Sequence, residues 1–310
     1  MRYFVCLVIK YIKMSKDTPF FSVIVPAFNA EKSIPRLLES IFAQSFIDYE
    51  VILVDDCSCD QSADIIKSAV KKNPDKKLQL LTNAKNRGVS FSRNSGIKIA
   101  AGKYILFADA DDYYYDDRAF EKLHDEIAET DNPDILLFGF VKEYHKLRGK
   151  KKPRKSRYSI KKWQANKNYQ IAIFPQKYIW NLTARRDLIN KNQLTFDENI
   201  TMNEDAIWRC ELLWCASTIA ALNEMLYCYT RPAEGGTLTT DNEIPLAERF
   251  SNVIKTIRGV EASRRKWRGP RLLIWPSILL IITILPLYFV VIYTIGFFRD
   301  RIFLRRNVLK

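Results

Sequence analysis

The sequence predicts an α/β domain built on a mostly parallel sheet, and two patterns carry that prediction. Short, β-branched apolar runs alternate with helical patterns through the first half of the chain. Several of these runs end abruptly in polar or acidic residues, so their carboxyl ends gather chemistry at one edge of the sheet.

The elements follow in order. Phe20–Pro26 reads as a buried strand, short, β-branched and ended by proline. A helix follows, with Ile34, Leu37, Leu38, Ile41 and Phe42 on one face. Tyr49–Val54 is a second strand, running into Asp55 and Asp56, and Gln61–Val70 is a helix that turns Ile65, Ile66, Ala69 and Val70 inward. Leu78–Thr82 and Lys103–Ala108 are further strands, separated by a helix over 89–101, and Asp134–Phe140 is another. Asp205–Ala216 is helical, and Ala247, Phe250, Ile254 and Ile257 form an amphipathic stripe suited to core or membrane. There is no internal repeat.

The chain has 310 residues and a formal net charge of +14, which by itself suggests nucleic acid. Two blocks carry that charge. Residues 142–162 hold eleven Lys/Arg against Glu143 alone, and residues 264–310 hold ten against Asp300 alone. The remainder is net acidic, a distribution that fits an anionic membrane surface and argues against a nucleic-acid partner. The block 142–162, containing Gly149 and Pro153, reads as a loop or a helical insertion that meets an anionic acceptor, lipid headgroups or solvent.

Residues 272–298 contain no charge. As a helix they would extend about 40 Å, enough to cross a hydrocarbon core of about 30 Å with tilt. Pro276 and Pro286 would bend it, leaving a kinked span, an in-plane hairpin or a buried helix pair open. The six cysteines form no C-x-x-C pair, which excludes a zinc module and fits reduced cytosolic thiols. Residues 1–14 read as an N-terminal extension, with Met14 as an expected alternative start. The remaining boundaries are a catalytic domain over 15–240, a basic amphipathic linker over 241–271, the hydrophobic segment 272–298 and a basic tail over 299–310.

Asp109-Ala-Asp111-Asp112 closes an apolar strand with three carboxylates. Alternation turns Asp109 and Asp111 to the same side, where they repel unless a cation or a hydroxyl-rich ligand lies between them. A hard divalent ion carrying a diphosphate meets that need. The chain has neither G-x-G-x-x-G nor G-x-x-x-x-G-K-[ST], so the usual backbone cradles for phosphate are missing and a metal is the natural counter-charge.

Four segments taken together, Val25–Asn29, Val54–Asp60, Asn86–Gly96 and Asp109–Asp112, resemble family 2 glycosyltransferases. Trp180–Ile189, Asn203-Glu204-Asp205 and Tyr229–Thr237 resemble that family's later motifs, and the resemblance spans 20–240. It implies a GT-A (nucleotide-diphospho-sugar transferase) fold, to which this chain adds a C-terminal helical and hydrophobic membrane-associating segment. It also implies inverting transfer from a nucleotide sugar, with Mn²⁺ or Mg²⁺ as cofactor.

Carried over by position, Pro26, Ala27, Phe28 and Asn29 would line base and ribose, and Asp56 would accept the N3–H of a uracil-like ring. Arg93 would approach base or phosphate, or form an ion pair. Asp109 and Asp111 would hold ribose and metal, with Asp111 and Asp112 both open as ligand. Asp205 would be the base, with Glu204 as the alternative and helix capping as the competing role for either. Trp180, Asn181 and Arg231 would lie on the acceptor side, Trp180 stacking on a sugar or packing in the core.

The Gln-x-x-Arg-Trp motif of processive members is absent, which implies transfer of a single sugar. The expected acceptor is a lipid-linked saccharide of the cell envelope (exopolysaccharide, capsule, O-antigen or lipooligosaccharide), at the cytoplasmic side of the plasma membrane. The alternative is a non-catalytic nucleotide-sugar-binding membrane scaffold.

Overall fold

A computed structural model describes residues 18–144, 154–158, 178–200 and 203–231, with helical positions at 255, 258, 259, 262 and 266. Four parallel strands form its centre: β1 (Phe21–Ala27), β2 (Tyr49–Asp55), β3 (Lys77–Thr82) and β4 (Tyr104–Phe107), in the order β3-β2-β1-β4. The helices α1 (Ile34–Phe42), α2 (Ser62–Lys72) and α3 (Val89–Ile99) connect them. The sheet continues through β8 (Leu182–Arg185), antiparallel to both β4 and β6 (Ile135–Tyr144). Next to β6 lies the parallel β9 (Ile219–Arg231), and the short β5 (Tyr113–Tyr114) closes that edge. Three further helices complete the layers: α4 (Ala119–Glu129), α5 (Arg186–Lys191) and α6 (Glu204–Cys215).

Strand periodicity divides the core. Phe21, Val23 and Val25 of β1 pack on one face with Ile34, Leu37 and Ile41 of α1, whereas Ile24, Ile52 and Val54 belong to the opposite face with Ile97 of α3. Gly96 lets α3 lie close on the sheet, because a Cβ there would come within 2.4 Å of Ile24 Cγ2. Burying all seven residues of β1 and of β2 is the signature of a parallel sheet covered on both sides.

A buried polar knot holds the edge away from the site. Glu50 Oε1 accepts the Ser22 hydroxyl at 2.6 Å and the Ala101 amide at 2.7 Å, while Ser22 Oγ accepts the Gly102 amide at 2.8 Å. The knot ties the α3–β4 turn to β1 and so sets where β4 starts.

Sequence and structure part at the basic insertion. Lys142–Tyr144 extend β6, and β7 (Arg154–Tyr158) pairs antiparallel with it, so the basic insertion contains a hairpin where a loop or helix was expected. Tyr229–Arg231 end the long strand β9. Residues 1–14, the stripe at 247–257 apart from position 255, and the run 272–298 lie outside the described residues. Among the described residues, no helix is long and apolar enough to cross a membrane.

Gly102→Ala should lower stability by about 1–3 kcal/mol in urea unfolding. The new methyl would meet the Ser22 backbone nitrogen at 2.5 Å and the Phe21 carbonyl carbon at 2.7 Å, atoms that cannot rotate away.

Candidate active site

The loops after β1, β2, β3 and β4 meet at the carboxyl edge of the parallel sheet, where open α/β sheets bind ligands. Main-chain and side-chain bonds latch the first two. The Asp56 amide donates to Ala27 O at 2.8 Å, Ser62 Oγ accepts the Ala30 amide at 2.7 Å, and Asp60 Oδ2 accepts the Glu31 amide at 3.0 Å. Asn29 adopts a left-handed φ of 49°, and its side-chain oxygen accepts the Cys59 amide at 3.0 Å. Phe28 next to it is 49% exposed, an aromatic face open at the crevice rim. Pro26 and Ala27 are buried in β1, so at this position the exposed side chains are Phe28 and Asn29.

The two carboxylates after β2 have different occupations. Asp56 Oδ1 accepts the Asn83 side-chain amide at 2.7 Å and the Arg87 amide at 2.9 Å, and Oδ2 accepts the Gly88 amide at 2.7 Å. At 3% exposure it clamps the 83–88 loop, with one bond on Oδ2 and two on Oδ1. Asp55 has the opposite character. Its Oδ2 takes a long bond of 3.4 Å from the Ser58 amide, and its Oδ1 is buried with no hydrogen-bond partner. A buried acceptor left unsatisfied is costly. The doublet was visible in the sequence, but only the position of the 83–88 loop distinguishes its members.

The turn after β4 divides its acids in a similar way. Asp109 is 28% exposed, and Asp111 is partly buried. Burial, followed by the charge of Asp109, pushes the Asp111 carboxyl up to about 6. Asp112 is fully buried, with Oδ1 accepting the Thr230 amide at 2.7 Å. Burial and then its two acidic neighbours hold its pKa well above the ordinary carboxylate range. Asp112 therefore anchors β9, which corrects its candidacy as a metal ligand. Tyr227 and Arg36, which the sequence did not single out, complete the support. The Tyr227 hydroxyl accepts the Asp109 amide at 3.0 Å, and Arg36 Nη2 donates to Asp111 O at 2.8 Å and to Thr230 Oγ1 at 2.9 Å.

The chemistry of this donor set fits a divalent ion. Asp109 and Asp111 repel each other across solvent-reachable space, a strain that a cation would relieve. Among the described residues no group of three His, Cys, Asp or Glu side chains is arranged to hold a metal. Two carboxylates completed by diphosphate oxygens and water is the coordination that Mg²⁺-type sites use.

Arg93 is 5% exposed and forms ion pairs, Nη2 to Asp109 Oδ1 at 2.9 Å and Nη1 to Glu204 Oε1 at 2.8 Å. Burial opposes its charge, but Asp109, Glu204 and Asp205 together outweigh that and raise its pKa. This bridge is the ion pair expected as one of the two roles of Arg93, and Glu204 is held by it. Asp205 lies partly exposed in the same first turn of α6, and its Oδ1 accepts the Ala206 amide at 2.8 Å.

On the acceptor side, Trp180 is 2% exposed. It stacks with Tyr178, Tyr227 and Tyr229 at centroid distances of 4.6, 4.9 and 5.3 Å. Asn181 is fully buried, and its side-chain oxygen accepts from Arg209 at 3.0 Å. Both are core residues in this structure, which for Trp180 is the packing alternative. Arg231 ends β9.

Residues 22–189 match the family model for Glycosyl transferase family 2. The Bacillus subtilis (strain 168) glycosyltransferase EpsJ is 33% identical over 68% of this chain and 61% of its own length. The poly(ribitol-phosphate) beta-N-acetylglucosaminyltransferase TarS of Staphylococcus aureus (strain MW2) is 31% identical over 76% of this chain and 39% of its own. This chain thus spans less than two thirds of either relative. The crystal structure of S. aureus TarS 1–349 in complex with UDP superposes with a TM-score of 0.56 at 28% identity, covering 68% of this chain and 60% of that one.

Asp56→Ala should cost about 3 kcal/mol of unfolding free energy, since it strands loop donors on a buried carboxylate site. Urea denaturation with and without UDP measures both the loss and its effect on binding.

Proposed function

The chain belongs to Glycosyl transferase family 2, and from that premise we propose that it moves a single hexosyl or N-acetylhexosaminyl unit from a UDP-sugar to a lipid-linked saccharide of the cell envelope. The observation that carries the reading is the pairing of two solvent-reachable carboxylates, Asp109 and Asp111, with an acid-bearing helix start at Asp205 through Arg93. UDP is favoured because the structurally similar TarS binds it, and an envelope acceptor because TarS acts on poly(ribitol-phosphate). The charge-free run 272–298 with its basic flanks supports attachment to an anionic membrane surface.

The chemistry is a single in-line displacement. Phe28 and Asn29 frame the base, and Asp56, whose Oδ2 accepts the Gly88 amide alone and keeps a second lone pair, accepts the imide N–H of the uracil. Asp109 and Asp111 would hold a divalent cation, which when bound would supply counter-charge for the departing diphosphate. Asp205 takes the proton of the acceptor hydroxyl as its oxygen attacks the anomeric carbon and the bond to the diphosphate breaks, with inversion. Glu204, engaged by Arg93, leaves that proton to its neighbour.

Purified protein incubated with UDP-, dTDP- and GDP-sugars and Mn²⁺ or Mg²⁺ should hydrolyse one donor slowly and only with metal. Asp111→Ala should abolish both metal-dependent UDP binding and hydrolysis. Asp205→Asn should keep UDP binding while losing turnover by about 10²–10⁴-fold. Calorimetry that finds no nucleotide bound by the wild-type chain overturns the reading, and binding without turnover by any donor favours the scaffold alternative.

Asp55→Leu should keep or raise the thermal midpoint, because it removes a buried acceptor that has no donor. It should leave UDP affinity unchanged, since the Asp55 side chain, at 1% exposure, presents no oxygen to the crevice. Thermal melts and calorimetry on one preparation read both quantities.

A further inference from the structure

Arg93 and Asn94 are consecutive on α3, and between them they grip both sides of the candidate site. Arg93 spans Asp109, on the turn after β4, and Glu204, at the first turn of α6. Asn94 bonds the Phe196 main chain in both directions, donating to its carbonyl at 2.9 Å and accepting its amide at 2.8 Å. The Arg93 guanidinium also lies 5.4 Å from the Phe196 ring centroid. One helix turn therefore holds the carboxylate that faces the donor and the chain segment that leads into Asp205.

We infer that Arg93 is a positioning residue that energetically couples the donor-side carboxylate Asp109 to the start of α6, so that the charge on Glu204 tunes how strongly Asp109 serves a metal–diphosphate ligand. This rests on the glycosyltransferase reading. The physical ground is that one buried guanidinium divides its charge between two carboxylates in a site that solvent screens poorly. Neutralise Glu204 and the guanidinium turns wholly to Asp109, which then offers less negative charge to a cation. Without Arg93, Glu204 has no route to Asp109. Asn94 holds the backbone at Phe196, in the segment that precedes α6.

The test is a double-mutant cycle read by calorimetry of UDP with Mn²⁺, alongside urea unfolding. E204Q should weaken UDP–Mn²⁺ binding by about fivefold, within the range of coupling for members of one ion-pair network. In an R93M background the same change should alter affinity less than about twofold. If R93M does not fold, R93K, which keeps the charge but loses the planar fork, serves as the background and should reduce the coupling. Equal effects of E204Q in both backgrounds overturn the inference. So does a lowered unfolding midpoint with unchanged UDP–Mn²⁺ affinity, which is the pattern of a merely structural pair. Failure of the wild-type chain to bind any nucleotide removes the donor reading and this inference with it. Binding that is intact but uncoupled removes the inference alone.

Discussion

A guanidinium that is 95% removed from solvent needs compensation, and the architecture around Arg93 supplies it from two directions. Desolvating such a cation is expensive, and a single carboxylate partner seldom repays the cost. Here one partner comes from the turn after β4 and the other from the start of α6, more than a hundred residues further along the chain. The ion triad therefore forms only when the parallel sheet, the α3 layer and the later half of the domain are all in register. Asn203 meets the same demand with a left-handed φ of 62°, turning the chain so that Glu204 enters α6 beside Arg93. Removing any member would leave buried charge uncompensated, which makes the triad a structural constraint as well as an electrostatic one.

Adjacent acids divide their labour at three points of the site. Asp56 satisfies the amides of the 83–88 loop, while Asp55 retains an acceptor with no donor. Asp112 holds the end of β9, while Asp111 stays within reach of solvent with a raised pKa. Glu204 pairs with Arg93, beside Asp205 in the same helical turn. In each doublet one acid is consumed in building the site. Such a site stores repulsion that a cation would relieve. It gives up stability in the unliganded state for affinity in the liganded one.

The alternation of strands and helices was legible in the sequence because period and apolar content act within single elements. β1, β2, β3, α1 and α3 fall within two residues of the expected limits. The carboxyl-edge crevice followed from topology alone. What could not be read was any feature resting on distant partners. Trp180 looks like a sugar platform until Tyr178, Tyr227 and Tyr229 stack around it. The basic run after 141 gave no strand signal, because β6 and β7 stabilise each other across a hairpin whose side-chain pattern is masked by charge. Arg36 and Tyr227 carried no motif, since their roles appear only when α1 and β9 close on the carboxylate turn.

By itself the sequence determined the parallel α/β sheet, the positions of its acidic turns and the family to which the chain belongs, because these rest on local pattern and on motif order. Only the tertiary structure decided which acid of each doublet is engaged by distant partners. The donors that occupy Asp56, Asp112 and Glu204 come from residues 27 to 118 positions away in the chain, and neighbouring carboxylates are chemically identical until those partners arrive.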